Sequence, residues 1–164
     1  FRAPRDVVEA CIDAELPKGA NTVFDDLHDL RARIHAIQVA RGTDAFAKLA
    51  TAFKRASKIT KDITPKDPDP SLFDASKPAE RNLWNAYAEV RSVIDRSTQS
   101  GNYDQAVEAT AKAIAEPIDT FFDKDKGVFV MDENLTVRAN RLAMLATIAS
   151  ALHRVARLER LGGN

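Results

Sequence analysis

Residues 134–155, NLTVRANRLAMLATIASALHRV, decide the fold class. Leu145, Ile148, Leu152 and Val155 return at heptad-like spacing, which puts them on one side of a helix and off the other. Asp132 or Asn134 stands ready to cap its start by accepting a free backbone N–H, and Gly162 and Gly163 mark its expected end. This is the last helix of the chain and, on this reading, the longest.

Working outward, the same three-to-four periodicity fills almost the whole sequence, and only Val128 to Met131 reads as a short extended run. Pro4 suits the first turn of a helix carrying Val7, Val8, Cys11 and Ile12, which stops near Pro17 to Gly19. A second helix is capped by Asn21 or Thr22, has the stripe Phe24, Leu27, Leu30, Ile34 and Ile37, and ends at a left-handed Gly42. Thr43 caps a third, over about Asp44 to Ile63, which buries Phe46, Leu49, Ala50 and Phe53 and turns Lys54, Lys58 and Lys61 away from them. Residues 64–76, with three prolines among Pro65 to Pro70, cannot continue a helix and form an internal surface loop.

Ser76 and Pro78 open a fourth helix with the stripe Leu83, Trp84, Tyr87, Val90 and Ile94, ended by a turn at Ser97 to Asn102. A fifth runs from Tyr103 until Pro117 kinks or restarts it before Ile118, Phe121 and Phe122, and a polar loop at Asp123 to Gly127 follows. Short turns favour antiparallel neighbours. The expectation is therefore an all-α, compact antiparallel bundle of about six helices, a single domain over residues 1–164. The chain opens on Phe1 and enters a helical pattern at once, so it reads as part of a longer polypeptide.

Composition narrows the chemistry. No apolar run approaches the roughly 20 residues that span a bilayer, and the first residues lack a signal-peptide layout, so a cytoplasmic location is expected. One cysteine, Cys11, can form no internal disulfide, and among apolar neighbours it reads as an inert buried thiol. His28, His35 and His153 offer no pair at metal-ligand spacing, so no metal is expected. No glycine-rich phosphate loop, nucleophile with a base, or acid and base carboxylate couple is present, so no catalytic residue is assigned.

Charge is balanced overall at 24 basic and 24 acidic residues, which argues against a polyanionic partner until its distribution is read. From Arg31 to Lys61 stand eight basic residues (Arg31, Arg33, Arg41, Lys48, Lys54, Arg55, Lys58, Lys61) against Asp44, a net of +7. Arg138 to Arg160 holds five arginines against Glu159, a net of +4. Such segregation gives a neutral protein the positive surface that a phosphate backbone requires. The basic stripe of the third helix is either that surface or a solvated face.

Arg138 and Arg141 sit seven and four residues before Leu145 and share its apolar stripe, in first turns where the macrodipole disfavours cations. They either fold back on acids such as Asp119, Asp123 or Glu133, or form a ligand-facing rim with Asn140 that grips phosphate and reads base edges. Trp84, Tyr87, Phe121 and Phe122 read as core rather than stacking platforms.

Three segments in fixed order, Pro117-Ile118-Asp119-Thr120-Phe121-Phe122-Asp123, Val128-Phe129-Val130-Met131 and Arg138-Ala139-Asn140-Arg141-Leu142-Ala143-Met144-Leu145, resemble the signature PID.FFD, V.VM, R.NRL.LL of the bacterial glycyl-tRNA synthetase β-subunit family. Asp29 to Ile37, Ala52-Phe53-Lys54-Arg55-Ala56 and Pro78-Ala79-Glu80 extend the likeness over nearly the whole chain. Lys124-Asp125-Lys126 looks like an insertion against that pattern, and Arg157 stands where the family suggests an acid.

The resemblance implies a DALR-type anticodon-binding domain at the C-terminus of a β subunit. Its partners would be the anticodon stem-loop of tRNA(Gly), the rest of the β subunit and a catalytic α subunit, in an α2β2 assembly. ATP and magnesium would serve the parent enzyme, with no cofactor in this domain. Carried over residue by residue, it points to Lys54 and Arg55, with Lys58, Arg31 and Arg33 beside them, and then to Arg138, Asn140 and Arg141 as the RNA-binding surface. The alternative reading is a helical protein-interaction bundle that touches no RNA.

Overall fold

The structure, a computed structural model, describes residues 2–16 and 19–162. Among these residues are six α-helices, α1 (Arg5–Ile12), α2 (Leu27–Ala40), α3 (Asp44–Thr60), α4 (Ala79–Gln99), α5 (Tyr103–Phe121) and α6 (Leu135–His153), with 3-10 turns at Pro70–Leu72 and Leu158–Arg160. No strand occurs among the described residues, in keeping with an all-α bundle. α5 is the hub, packed against α2, α3 and α4, and α6 lies along α3 and α4. One apolar cluster links all six helices. Phe53, Leu83, Ile94, Ile114, Ile118, Phe121, Met144, Leu145 and Ile148 are fully buried in it, each such side chain contributing about 1.5 to 3 kcal/mol of transfer free energy.

Several boundaries follow local hydrogen bonding rather than the apolar pattern. Asp25 accepts from the backbone of Asn21 and Thr22 at 2.8 and 3.0 Å, closing a turn ahead of α2. Asp26 therefore becomes the cap, accepting from His28 and Asp29 N–H at 2.9 and 3.0 Å. Phe24 and Leu27, expected on the buried stripe, are 58% and 64% exposed. Gly42 is not left-handed; Gly101, at the end of α4, is, with φ 71°. There the Asn102 N–H reaches back to the Ser97 carbonyl at 2.8 Å, closing α4 in a Schellman motif and reversing the chain into α5.

α5 runs unbroken through Pro117, which neither restarts nor ends it. The proline lies at a half-exposed position, and water can take the Ala113 carbonyl that it leaves without a backbone donor. After α5, Gly127 comes so close to the end of that helix that a Cβ would stand 2.3 Å from the Phe121 carbonyl oxygen. Val128 and Val130 then point into the core while Phe129 and Met131 are 74% and 45% exposed, an alternation without strand pairing.

Thr43 and Asn134 cap α3 and α6. α6, at 19 residues, is shorter than α4 at 21, and it stops at His153 well before the glycines. The chain after it folds back over α1 instead. Arg157 N–H donates to the Ala10 carbonyl at 2.8 Å, and Gly162 N–H to Asp6 at 3.0 Å. Pro17 and Gly163, named as helix ends, lie outside the described residues.

Candidate nucleic-acid interface

α3 presents its cations by simple arithmetic. Phe46, Leu49, Ala52, Phe53, Ala56 and Thr60 are buried, so residues 54, 58 and 61 fall on the opposite face with Arg55 at its flank. Lys54, Arg55, Lys58 and Lys61 are all exposed, and none has an ion-pair or hydrogen-bond partner among the described residues. Lys58 lies in the last turn, where the macrodipole favours a cation. Arg31 is also exposed. The other cations of this segment are engaged: Arg41 with Asp6 at 2.9 Å, and Lys48 with Glu116.

Arg33 is internal. Only 3% exposed, it donates to Asp29 at 2.7 Å and to the backbone carbonyls of Arg154 and Val155, and its guanidinium lies 4.6 Å from the Tyr103 ring centroid. The Tyr103 hydroxyl donates to the same Asp29 at 2.5 Å. Burial, then that hydrogen bond, pushes the phenol well above its ordinary pKa. Arg33 thus ties α2 to the start of α5 and to the turn after α6, and its burial closes it to a partner.

Arg141 is the second internal arginine, 4% exposed against a Glu80 that is fully buried. Its Nε and Nη2 donate to the two Glu80 oxygens at 2.9 and 3.2 Å, and Nη1 donates to Asp132 and to the Phe129 carbonyl, both at 2.8 Å. Glu80 also accepts from Asp74 N–H at 2.8 Å, so the buried charges are paired and hydrogen-bonded on every side. The Asn134 N–H, with Arg141 beside it, holds the Asp132 carboxyl below the usual carboxylate range. The acids that receive Arg141 are Glu80 and Asp132, not Asp119, Asp123 or Glu133, because α4 packs on α6 and brings its first-turn Glu80 against Arg141.

Asn140 is likewise committed. Its Oδ1 accepts from Asp69 N–H at 2.7 Å and its Nδ2 donates to the Asp69 carbonyl at 3.0 Å, a two-point clamp on the backbone of the loop after α3. The loop is pinned elsewhere too, with Arg91 and Asp67 at 2.9 Å, and with Pro68 and Phe73 buried. Residues 64–76 are therefore a braced wall that carries the 3-10 turn Pro70–Leu72.

Of the cluster Arg138, Asn140 and Arg141, only Arg138 offers its side chain outward, half-buried and without a partner among the described residues. The remaining C-terminal arginines are spent within the fold, Arg154 on Asp95, Arg160 on Asp13, and Arg157 on His153 and the Asp13 carbonyl. Arg138 lines a cleft of about 850 Å³ between residues 63–72 and the first turns of α6. A second pocket of about 280 Å³, lined by Lys61 and His153, shares Ile63 and Pro65 with it. The exposed face of α3 thus leads into a furrow along the seam between α3 and α6.

Two features escaped the sequence. Glu80 gave no sign of its role, because its partner lies 61 positions along the chain. Phe129 is an exposed aromatic next to this end of α6, and the period-two alternation of Val128 to Met131 was the signal that one of its two sides faces out. Trp84 and Phe122 are half-buried, and Tyr87 and Phe121 are buried in the core. Burial pushes the Cys11 thiol up to about 12, which leaves it unreactive. No group of three or more His, Cys, Asp or Glu among the described residues is placed to hold a metal ion, and no helix there is long and apolar enough to cross a membrane.

Among the described residues the bundle leaves an exposed basic face on α3 beside a braced cleft, and comparison with known families supplies the class, an anticodon-binding domain. The model of the DALR anticodon binding domain family matches residues 43–159, from the cap of α3 to the final 3-10 turn, and the chain belongs to that family. Its relatives include glycine–tRNA ligase β subunits. The chain is 36% identical to that of Trichlorobacter lovleyi over 98% of its own length and 21% of the relative, and 40% identical to that of Geobacter sulfurreducens over 80% and 17%. It is 35% identical to that of Desulforudis audaxviator over 82% and 19%. The chain spans about a fifth of the length of these relatives.

Proposed function

We propose that this chain recognises the anticodon stem-loop of tRNA(Gly) as one module of a glycine–tRNA ligase β subunit. The observation that carries the reading is the face of α3, where Lys54, Arg55, Lys58 and Lys61 stand exposed with no ion-pair partner among the described residues, on a domain of the anticodon-binding family. Lysines and arginines so placed hold flanking phosphates and release their counterions. Arg31, Arg33, Asn140 and Arg141 enter differently. Arg31 adds positive charge at the surface, whereas Arg33, Asn140 and Arg141 act as scaffold that keeps α2, α6 and the loop in place.

Glycine activation, with its ATP and magnesium, belongs in this reading to a separate α subunit, and the assembly is α2β2 in the cytoplasm. The test is a titration of the polypeptide carrying these 164 residues with the glycine-tRNA anticodon hairpin across a range of salt. Binding should weaken linearly in log–log form, with a slope of about 0.9 or less per phosphate contact. Salt-indifferent or absent binding would favour the interaction-bundle reading.

A further inference from the structure

The cleft beside Arg138 is built unlike the rest of the surface. Its surface is largely apolar, with Ile63, Pro65, Leu72, Leu135 and Leu142, while the exposed Lys66 lines it and the exposed Lys61 lines the adjoining pocket. At about 850 Å³ it is of the size that takes a small planar ligand. One wall is fixed in advance by the two hydrogen bonds between Asn140 and the backbone of Asp69. The acids on that wall are already engaged, Asp67 by Arg91 and Asp69 by Ser71. Arg138 is the one arginine lining the cleft, and its guanidinium has no partner among the described residues.

Resting on the anticodon-loop reading above, we propose that this cleft receives one unpaired nucleobase, with Arg138 as its specificity-determining residue. Apolar walls with a cationic rim fit a base whose own phosphates lie outside, against Lys61, Lys66 and the α3 face. A guanidinium only donates, in a fixed fork, so it favours a base edge with two adjacent acceptors. Guanine offers O6 and N7, and cytosine offers N3 and O2; adenine and uracil present no such adjacent pair. Asn140 is a positioning residue, because it holds the wall and spends both ends of its amide in doing so.

The experiment compares hairpins altered at one anticodon-loop base at a time, bound to the full-length polypeptide, its Ala139→Trp variant, its Arg138→Ala variant and a Lys54→Ala/Lys58→Ala variant. Ala139 is exposed on α6 and lines the cleft, so a tryptophan there fills the space while the core stays untouched. The wild type should prefer guanine or cytosine at one position by about tenfold or more. Both cleft variants should lose that preference with their salt slope unchanged, whereas the α3 variant should keep the preference and lose about two units of slope. Unfolding midpoints measured alongside should be the same for all four proteins.

If the cleft variants retain the preference, the base pocket is overturned while RNA binding by α3 stands. If the cleft variants bind every hairpin as the wild type does but release a protein partner, the cleft is a protein contact and the proposal fails. If no hairpin binds at low salt, the anticodon reading itself fails and the base pocket with it.

Discussion

α3 and α6 each carry cations, and Lys54, Arg55 and Lys58 of α3 meet the opposite fate to Arg141 of α6. On α3 the basic residues lie opposite the buried positions, and Lys54, Arg55, Lys58 and Lys61 reach solvent. On α6, Arg141 lies on the buried side, and the fold supplies Glu80 and Asp132 to receive it. Helical phase separates them. A cation four residues from a core leucine must bring its counter-charge into the core, whereas a cation on the far face needs only water. Positive charge in a sequence therefore marks a binding surface only where its phase points outward.

The sharpest way to break this comparison is Arg141→Ala, which leaves Glu80 buried without its partner. We expect a loss of about 3 to 5 kcal/mol in chemical denaturation. Replacing both members of the pair with apolar residues of similar volume should recover most of that loss, because the remaining charge is gone. A full loss in the double variant would show that the pair does more than neutralise itself.

A smaller effect separates the starts of the two helices. Asn134 accepts from Thr136 and Val137 N–H at 3.0 and 3.3 Å, so Asn134→Ala should cost about 1 kcal/mol in thermal unfolding. The cost should fall on α6 and leave the salt dependence of RNA binding on α3 untouched.

Acid should also act on the α6 end before α3, whose Asp44 has no such hydrogen-bonded hold among the described residues. Backbone N–H donation holds Asp123 and Asp132 below the ordinary value of 3.8. A carboxylate whose pKa is lower in the folded than in the unfolded state stabilises the fold above its unfolded value. That stability is lost as pH falls through 3.8 toward the folded pKa. Hydrogen exchange followed from pH 5 down to about 3 should show the loop 123–134 opening before α3.

The smallest expected change in stability is that of Lys54→Ala, within about 0.5 kcal/mol of wild type. Its RNA binding should weaken for all hairpins alike, with the salt slope reduced by about one. A destabilised but normally binding Lys54→Ala protein would reverse the assignment of α3 and α6.

Much of this organisation was legible beforehand. The helices, the cap Thr43, the choice of Asp132 or Asn134 as the cap of α6, the core aromatics Tyr87 and Phe121 and the break after α3 all rest on contacts within a few residues, which periodicity and capping chemistry record. The start of α2 was misplaced because Asp25 and Asp26 compete for the same task, and which one caps depends on the turn that Asp25 closes with Thr22. Of the two readings of Pro117, a restart does not occur, because a single missing N–H is tolerated where packing holds a helix and water reaches the orphaned carbonyl.

By itself, the sequence determined the all-α class, the single apolar core and the outward phase of the α3 cations, since each is a matter of spacing along one helix. Only the tertiary structure decided which cations remain available. Arg33 meets a carbonyl 121 residues away, Arg141 a carboxylate 61 residues away, and Asn140 a backbone 71 residues away. Such pairings depend on which helices become neighbours, and a residue's own flanking sequence carries no record of them.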